Sequence, residues 1–329
     1  MTGVEGDSFN FARDLRVHSR PISGMMLPLS RSAIVEQPAE DPQAMVDALV
    51  GLLDIEPIEV DLFRGARTHE RWTRVFGGQV IGQALMAACR TVEGRQPHSL
   101  HAYFLRAGDP GSPIVYQVSR DRDGGSFTSR RVVAIQHGQP ILNLAASFHI
   151  AEPGMAHQFD MPAVPAPETL ESERAIALRH LDQIREERRP LLSRPRPIEI
   201  RPVDPESRLS GASRAPSQMH WFRAVAPLPD DQRLHRVLLA YASDMMLLST
   251  TLLPHGIHWM KDPLQEASLD HALWIHEDVR LDDWLLYCLD SPWTGGARGL
   301  SRGLIYTRAG RLVASVAQEG LIRIPRPKP

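Results

Sequence analysis

Asp244 is the residue of this chain whose position most directly predicts chemistry. It lies in a long apolar stretch, residues 233–253, and its neighbours three and four positions away are largely apolar. On a helix those neighbours share its face, so the sequence predicts a buried carboxylate, which is costly unless it is hydrogen-bonded. We therefore expect hydrogen-bond partners, a raised pKa, or both. Two interpretations stay open: a structural bond between helix and sheet, or a base at the mouth of a pocket.

Two further polar residues, Ser268 and Gln318, occupy positions where an inward strand face would favour apolar side chains. Ser268 is the second residue of the segment ASLDHALW, and Gln318 lies in the segment VASVAQEG. A polar site explains both positions, and neutral drift explains them as well.

One segment fits the pattern of a hydrolase nucleophile. Residues 299–303 read G-x-S-x-G, with Ser301 in the nucleophile position. Such an elbow needs a strand before the serine, a helix after it, and an acid and a histidine later in the chain. The residues after Ser301 alternate like a strand, and no histidine follows His276. We therefore expect no nucleophile at Ser301.

Metal and cofactor signals are weak. The histidine pairs at 98/101 and 255/258 have helical spacing, but no carboxylate completes a ligand set. The chain has neither a Walker sequence nor a G-x-G-x-x-G loop. The sequence therefore predicts no metal and no cofactor.

Composition excludes several classes of protein. The chain has 329 residues, of which 43% are apolar and 23% charged, as in a folded globular protein. A formal charge of −2 provides no basic field for nucleic acid. We find no secretory signal and expect no membrane span. Cys89 and Cys288 lie in apolar runs and are expected to be buried thiols, so we predict a cytoplasmic protein.

The elements that must position these residues occur twice. Residues 75–89 carry no charge, so a helix there must be buried on every side. It would be about 22 Å long, and a curved antiparallel sheet could enclose it. Strand-like segments follow it at once, and the stretch 233–253 is again followed by strand-like segments.

The two copies can be aligned. Ser99 corresponds to Ser268 at an offset of 169, and Phe148 corresponds to Gln318 at an offset of 170. Two independent anchors agree within one residue, so we interpret the chain as a tandem duplication. The predicted fold is α+β, a double hot-dog, in which each unit is a long helix wrapped by a curved antiparallel sheet.

The domain organisation follows from this duplication. We expect a flexible leader at 1–43 and an N-terminal hot-dog at 44–152. A proline-rich linker at 153–220 should contain a helix, and a C-terminal hot-dog should occupy 221–325.

With these segments in place, the sequence resembles the acyl-CoA thioesterase II family of tandem hot-dog thioesterases. The matching stretches include VFGGQVIGQAL at 75–85, HSLHAYFLRAGDP at 98–110, AYASDMMLL at 240–248 and LVASVAQEGLIR at 312–323. Matching blocks occur in order over about residues 44–324, which makes the resemblance specific although no single block decides it.

The resemblance implies hydrolysis of fatty acyl-CoA without a metal, through an Asp, a Thr or Ser, and a Gln. These fall on Asp244, Ser268 and Gln318, with serine where the family often has threonine. The trio would hold one water at the thioester carbonyl, and Asp244 would take its proton. A backbone N–H near Gly77 and Gly78 is the expected oxyanion donor.

Two other functions remain as alternatives. A hot-dog enoyl-CoA hydratase or dehydratase would need an Asp–His pair, but the adjacent Asp270 and His271 should point to opposite faces of a strand. A non-catalytic acyl-CoA sensor would have no need of the polar trio. For partners, we expect an acyl-CoA substrate, no nucleic acid, and a homo-oligomer, as a dimer or tetramer.

Overall fold

The computed structural model describes residues 41–67, 74–205 and 211–325. Residues 1–40 of the expected leader therefore lie outside the described residues. The helices are α1 (Pro42–Leu53), α2 (Gly77–Cys89), α3 (Glu173–Arg179), α4 (Arg189–Ser193), α5 (Gln232–Ser243) and α6 (Leu247–Thr250).

The strands of the first half are β1 (Ile55–Glu59), β2 (Leu62–Gly65), β3 (Gln96–Phe104), β4 (Ile114–Asp123), β5 (Phe127–Gln136) and β6 (Gln139–His149). Those of the second half are β7 (Ile198–Pro202), β8 (Ser217–Ala224), β9 (Gln265–Ser268), β10 (Asp270–Ile275), β11 (Leu285–Gly295), β12 (Arg298–Thr307) and β13 (Leu312–Arg323).

The sheet shows the duplication directly. Its strands run in the order β1-β2-β4-β5-β6-β3-β10-β13-β12-β11-β8-β7, with β9 paired to β13. Counted outward from the β3–β10 pairing, the first half has the order β3-β6-β5-β4-β2-β1 and the second has β10-β13-β12-β11-β8-β7. In each half the two outermost strands precede the long helix in the chain, and the other four follow it. All these pairings are antiparallel. The α+β double hot-dog is confirmed.

The two long helices lie against each other in the core. Every residue of α2 from Gly78 to Cys89 is buried, as its lack of charge predicts. The helices are antiparallel, because Gly78 lies against the Tyr241 carbonyl and Gly82 against that of Val237. Glycine is required at position 78, where a Cβ would come within 2.3 Å of that carbonyl oxygen. One hydrophobic cluster includes both helices and both halves of the sheet.

The long helix predicted at 233–253 is interrupted. Helix α5 ends at Ser243, Asp244 is its C-cap, and Met246 has a φ of 70° before the short α6 begins. Asp244 is therefore at the end of a helix rather than within one. The left-handed Met246 breaks the ladder of helical hydrogen bonds, so α6 begins as a separate helix.

The same region meets a membrane criterion by length and composition alone. Gln232–His255 is the one such stretch among the residues that the structure describes, and 61% of its most apolar window is buried inside the protein. Its apolar character is explained by packing in the core.

The connection between the halves contains more secondary structure than the single helix that the sequence predicts. The helix expected over the charged segment 171–189 forms only as α3, and a second short helix, α4, begins at Arg189 with Pro190 in its first turn, where proline is tolerated. Strand β7 and the first part of β8 fall within the expected linker, 153–220. Both belong to the sheet of the second half, because β7 pairs with β8 and β8 pairs with β11. Met161, Val164 and Leu170 pack over the outer face of that half.

Candidate active site

The carboxylate of Asp244 lies where the end of α5 meets the beginning of α2. The first N–H groups of a helix lack partners within the helix, and Phe76, the N-cap of α2, provides no side-chain cap. The Gly78 N–H instead donates to Asp244. The negative carboxylate thus occupies the positive end of the α2 dipole, which favours its ionised form.

Glycine at position 77 leaves the room that this carboxylate occupies. A Cβ on Gly77 would lie 2.6 Å from Asp244 Oδ2 and 3.0 Å from the Phe104 ring. The close approach of the two helices therefore depends on a residue without a side chain.

A first prediction concerns this contact. Gly77→Ala should displace the carboxylate and lower kcat by about 10²-fold, because misplacement of a reacting group by about 1 Å costs that much. Gly51→Ala in α1 is the matched control, since nothing lies within 4 Å of a Cβ there. Steady-state kinetics on both variants decides: equal kcat values would show that the carboxylate's position is not held by this contact.

The structure brings Asp244 together with Ser268 and Gln318. The Ser268 hydroxyl donates to Asp244 Oδ1 at 3.1 Å, and Gln318 Nε2 donates to Ser268 Oγ at 3.0 Å. Gln318 also hydrogen-bonds the Asp244 carboxylate. The three side chains come from the end of α5, the end of β9 and the middle of β13, which neighbours β9.

Exposure differs within this trio. Gln318 is only 1% exposed, whereas Asp244 and Ser268 keep some accessible surface. The carboxamide is therefore fixed inside the protein, while the carboxylate and the hydroxyl can meet a water molecule or a ligand.

Burial raises the pKa of Asp244, because the charged form loses hydration. Its neighbours act against this shift: hydrogen bonds from Gln318, Ser268 and Gly78 lower the pKa. A carboxylate with a raised pKa that still ionises is a better proton acceptor than an ordinary aspartate.

A second prediction is the pH dependence of this group. Only the ionised form of a carboxylate accepts a proton, so a catalytic role of Asp244 as base predicts that kcat/KM falls as pH decreases through its raised pKa. The acid limb should therefore lie at higher pH than for an unperturbed aspartate. A pH profile of kcat/KM tests this, and full activity down to the ordinary aspartate range would contradict it.

Two residues that sequence reasoning missed lie behind the trio. His271 Nδ1 is hydrogen-bonded to Gln318 Oε1, and Ser243 Oγ lies 2.8 Å from His271 Nε2. Asp270 points elsewhere and accepts the Glu319 N–H at 2.7 Å, as the alternation of a strand predicts. The signal was available: His271 shares the buried face of β10 with Leu273 and was a polar residue on an inward face.

The other candidates have different places. Ser301 is buried in the middle of β12, opposite Gln318, and no helix follows it. Burial raises the pKa of Cys89 to about 12 and that of Cys288 to about 11, so neither is a ready thiolate. Among the described residues, no group of three or more potential ligands could hold a metal.

Comparisons with known proteins agree with this architecture. A family model described as acyl-CoA thioesterase matches residues 191–321, and one described as acyl-CoA thioesterase N-terminal domain matches residues 68–149. The chain is 45% identical over 283 residues to human acyl-coenzyme A thioesterase 8, covering 83% of the chain and 88% of that protein.

Two further relatives are bacterial. Acyl-CoA thioesterase 2 of Haemophilus influenzae is 36% identical over 280 residues, covering 85% of the chain and 98% of that protein. The crystal structure of acyl-CoA thioesterase II TesB2 from Mycobacterium marinum is 43% identical with a TM-score of 0.69, covering 84% and 98% of the two chains.

A double hot-dog that is matched over both halves by thioesterases defines the class: the protein is a tandem hot-dog thioester hydrolase. More particularly, the chain belongs to the acyl-CoA thioesterase family.

Proposed function

We propose that this protein hydrolyses fatty acyl-CoA to a free acid and CoA by direct attack of one water, which Asp244, Ser268 and Gln318 hold. The observation that carries the proposal is the hydrogen-bonded set of carboxylate, hydroxyl and carboxamide, whose accessible side consists of Asp244 and Ser268. The acyl-CoA substrate is supported by the printed names of the relatives.

The chemistry needs one base and one good leaving group. The water oxygen bonds to the thioester carbonyl carbon while Asp244 takes a proton from the water. The intermediate then collapses, the carbon–sulfur bond breaks, and the CoA thiolate receives the proton from Asp244. Because a thiolate leaves readily, no covalent enzyme intermediate is required.

In this mechanism the first turn of α2 stabilises the oxyanion of the tetrahedral intermediate. The turn begins at Gly77 and is the positive end of a buried helix; its Gly78 N–H donates to Asp244, so the Gly77 N–H is the proposed oxyanion donor. Donors that are already oriented stabilise the developing charge at no cost in reorganisation.

The residues after Asp244 are suited to line the acyl chain. Met245 and Met246 are partly buried and pack against the main core, and Leu248 lies against Gly320 on β13. Flexible thioethers adapt to apolar chains, and this segment begins one residue after the proposed base.

Compartment and assembly form part of the same proposal. We propose a cytoplasmic homo-oligomer, a dimer or tetramer. Both cysteines are free thiols, which agrees with a reducing compartment. Light scattering on the purified chain tests the assembly, and a monomer at micromolar concentration would exclude it.

The experiment that tests the function is release of free thiol from acyl-CoAs with chains of two to eighteen carbons. The proposal expects release that depends on chain length. A trans-2-enoyl-CoA serves as the second substrate: hydration without thiol release would show a hydratase. Tight acyl-CoA binding without turnover would show a sensor, and either outcome overturns the proposal.

A further inference from the structure

A buried histidine and serine extend the trio into the core. His271 is 1% exposed and Ser243 is fully buried, so neither is expected to contact a substrate. His271 Nδ1 bonds Gln318 Oε1, and His271 Nε2 lies 2.8 Å from Ser243 Oγ. Tyr287 holds the backbone at Ser243, because its hydroxyl donates to the Ser243 carbonyl at 2.9 Å. The mechanism above uses neither His271 nor Ser243.

The charge of Asp244 determines the direction of every hydrogen bond in the series that links it to Ser243. An ionised carboxylate only accepts, so the Ser268 hydroxyl must donate to it. Ser268 can then only accept from its other neighbour, which must be the NH₂ of Gln318. The carbonyl of Gln318 consequently faces His271, and Nδ1 of His271 must carry a proton.

The same reasoning assigns the tautomer of His271. Burial lowers the pKa of His271, which favours the neutral ring. A neutral ring with a proton on Nδ1 has an accepting Nε2, so the Ser243 hydroxyl, which has a second acceptor in the Ala240 carbonyl at 3.0 Å, donates to the ring instead. Four hydrogen bonds therefore run in one direction, from Ser243 through His271, Gln318 and Ser268 to the carboxylate.

We propose that His271 is a positioning residue, which keeps the NH₂ of Gln318 turned toward Ser268 and Asp244. This inference rests on the proposed function. A reversed carboxamide would present its oxygen to Ser268. That oxygen would compete with Asp244 for the hydroxyl proton, and the Asp244 carboxylate would lose the Gln318 donor.

A double-mutant cycle in kcat tests whether His271 acts through Gln318. His271→Leu removes the donor at similar volume, and we expect kcat to fall by about 10- to 100-fold with KM changed by less than about threefold. On a Gln318→Leu background there is no carboxamide to orient, so His271→Leu should cost less than about twofold more. His271→Asn retains an N–H near the position of Nδ1 and should recover most of the loss.

A matched control separates positioning from folding. His235 is also a fully buried histidine, and its Nδ1 accepts the Leu281 N–H at 3.1 Å away from the trio. His235→Leu should lower Tm with kcat nearly unchanged. If His271→Leu does not fold, His271→Phe replaces it in the cycle, because phenylalanine keeps a planar ring at this position and lacks the N–H that Gln318 accepts.

The outcomes are distinct. Coupling between positions 271 and 318, with recovery in His271→Asn, supports the inference. An equal loss of kcat on both backgrounds, or no loss in His271→Leu, overturns it while the proposed function stands. Absence of thiol release by the wild type would instead overturn the proposed function, and no loss in Gln318→Leu alone would remove Gln318 from the site.

Discussion

Asp244→Asn should lower kcat for thioester hydrolysis by about 10²–10⁴-fold, the range that a positioned general base contributes. Asparagine has nearly the same shape and can still accept hydrogen bonds from the Gly78 N–H and Ser268. It cannot take a proton from water. KM should change little, because the acyl chain and CoA bind to other groups. Thiol release and circular dichroism on the purified variant measure both halves of this expectation.

The matched control is Asp290→Asn. Asp290 is an exposed aspartate on β11 that pairs with Arg302 at 2.9 Å on the neighbouring strand. An exposed ion pair contributes little, about 0–1 kcal/mol, so this variant should have the kcat and stability of the wild type. A folded Asp244→Asn variant with full activity would remove Asp244 from the chemistry and leave only the structural interpretation.

Gln318→Leu should have the second largest effect, a loss of about 10²–10³-fold in kcat, which is typical when one oriented donor to a reacting group is removed. Leucine fills the buried position but donates nothing to Ser268 or Asp244. The His271 N–H is also left without its acceptor, so stability should decrease by about 1–3 kcal/mol. Denaturant unfolding and steady-state kinetics measure the two effects separately.

The duplication provides the control for this variant. Phe148 is the counterpart of Gln318 in the first half and is fully buried in β6. Phe148→Leu should lower stability by removing buried apolar volume while kcat stays near the wild-type value. Equal kcat losses in the two variants would mean that Gln318 acts only through packing.

Much of the fold could be predicted because its strongest signal is local. Fifteen uncharged residues at 75–89 require burial on all sides, and the structure buries α2 between the strands of the first half and α5. The two anchors of the duplication likewise correspond to the repeated strand order of the sheet. Patterns that depend on one element and its own period are readable from one sequence.

The remaining features depend on contacts between distant residues. Helix α5 ends at Ser243 and the carboxylate turns toward α2, whose N-terminus supplies a donor from 166 positions earlier. Nothing near Asp244 in the sequence states where that donor is. The helix expected in the connection is shorter for a similar reason, because Ala177 of α3 and Leu192 of α4 pack in one cluster with Met260, a residue distant in the sequence.

The candidate site was predicted in part. Burial reasoning singled out Asp244, Ser268 and Gln318 separately, and the structure places them within hydrogen-bond distance. His271 was considered only as a partner of Asp270, and the alternation of a strand correctly separates those two. The missing step was to ask what an inward-facing histidine on β10 would meet on the adjacent β13.

The two halves also differ in a way that limits the number of sites. The position of Gln318 is occupied by Phe148 in the first half, so the described residues there lack the carboxamide. An apolar ring cannot orient a hydroxyl or a water. One half thus retains polar chemistry, and the other contributes packing and the helix N-terminus that binds the carboxylate.

Direct attack by water is the central claim, and a single turnover in oxygen-18 water tests it most directly. The enzyme in excess over an acyl-CoA is quenched after one turnover, and the fatty acid and the intact protein are weighed by mass spectrometry. We predict one labelled oxygen in the free acid, no label in Asp244 and no acyl group on the protein. An unlabelled acid with label in Asp244, or an acyl-enzyme in the quenched sample, would contradict direct attack and make Asp244 a nucleophile.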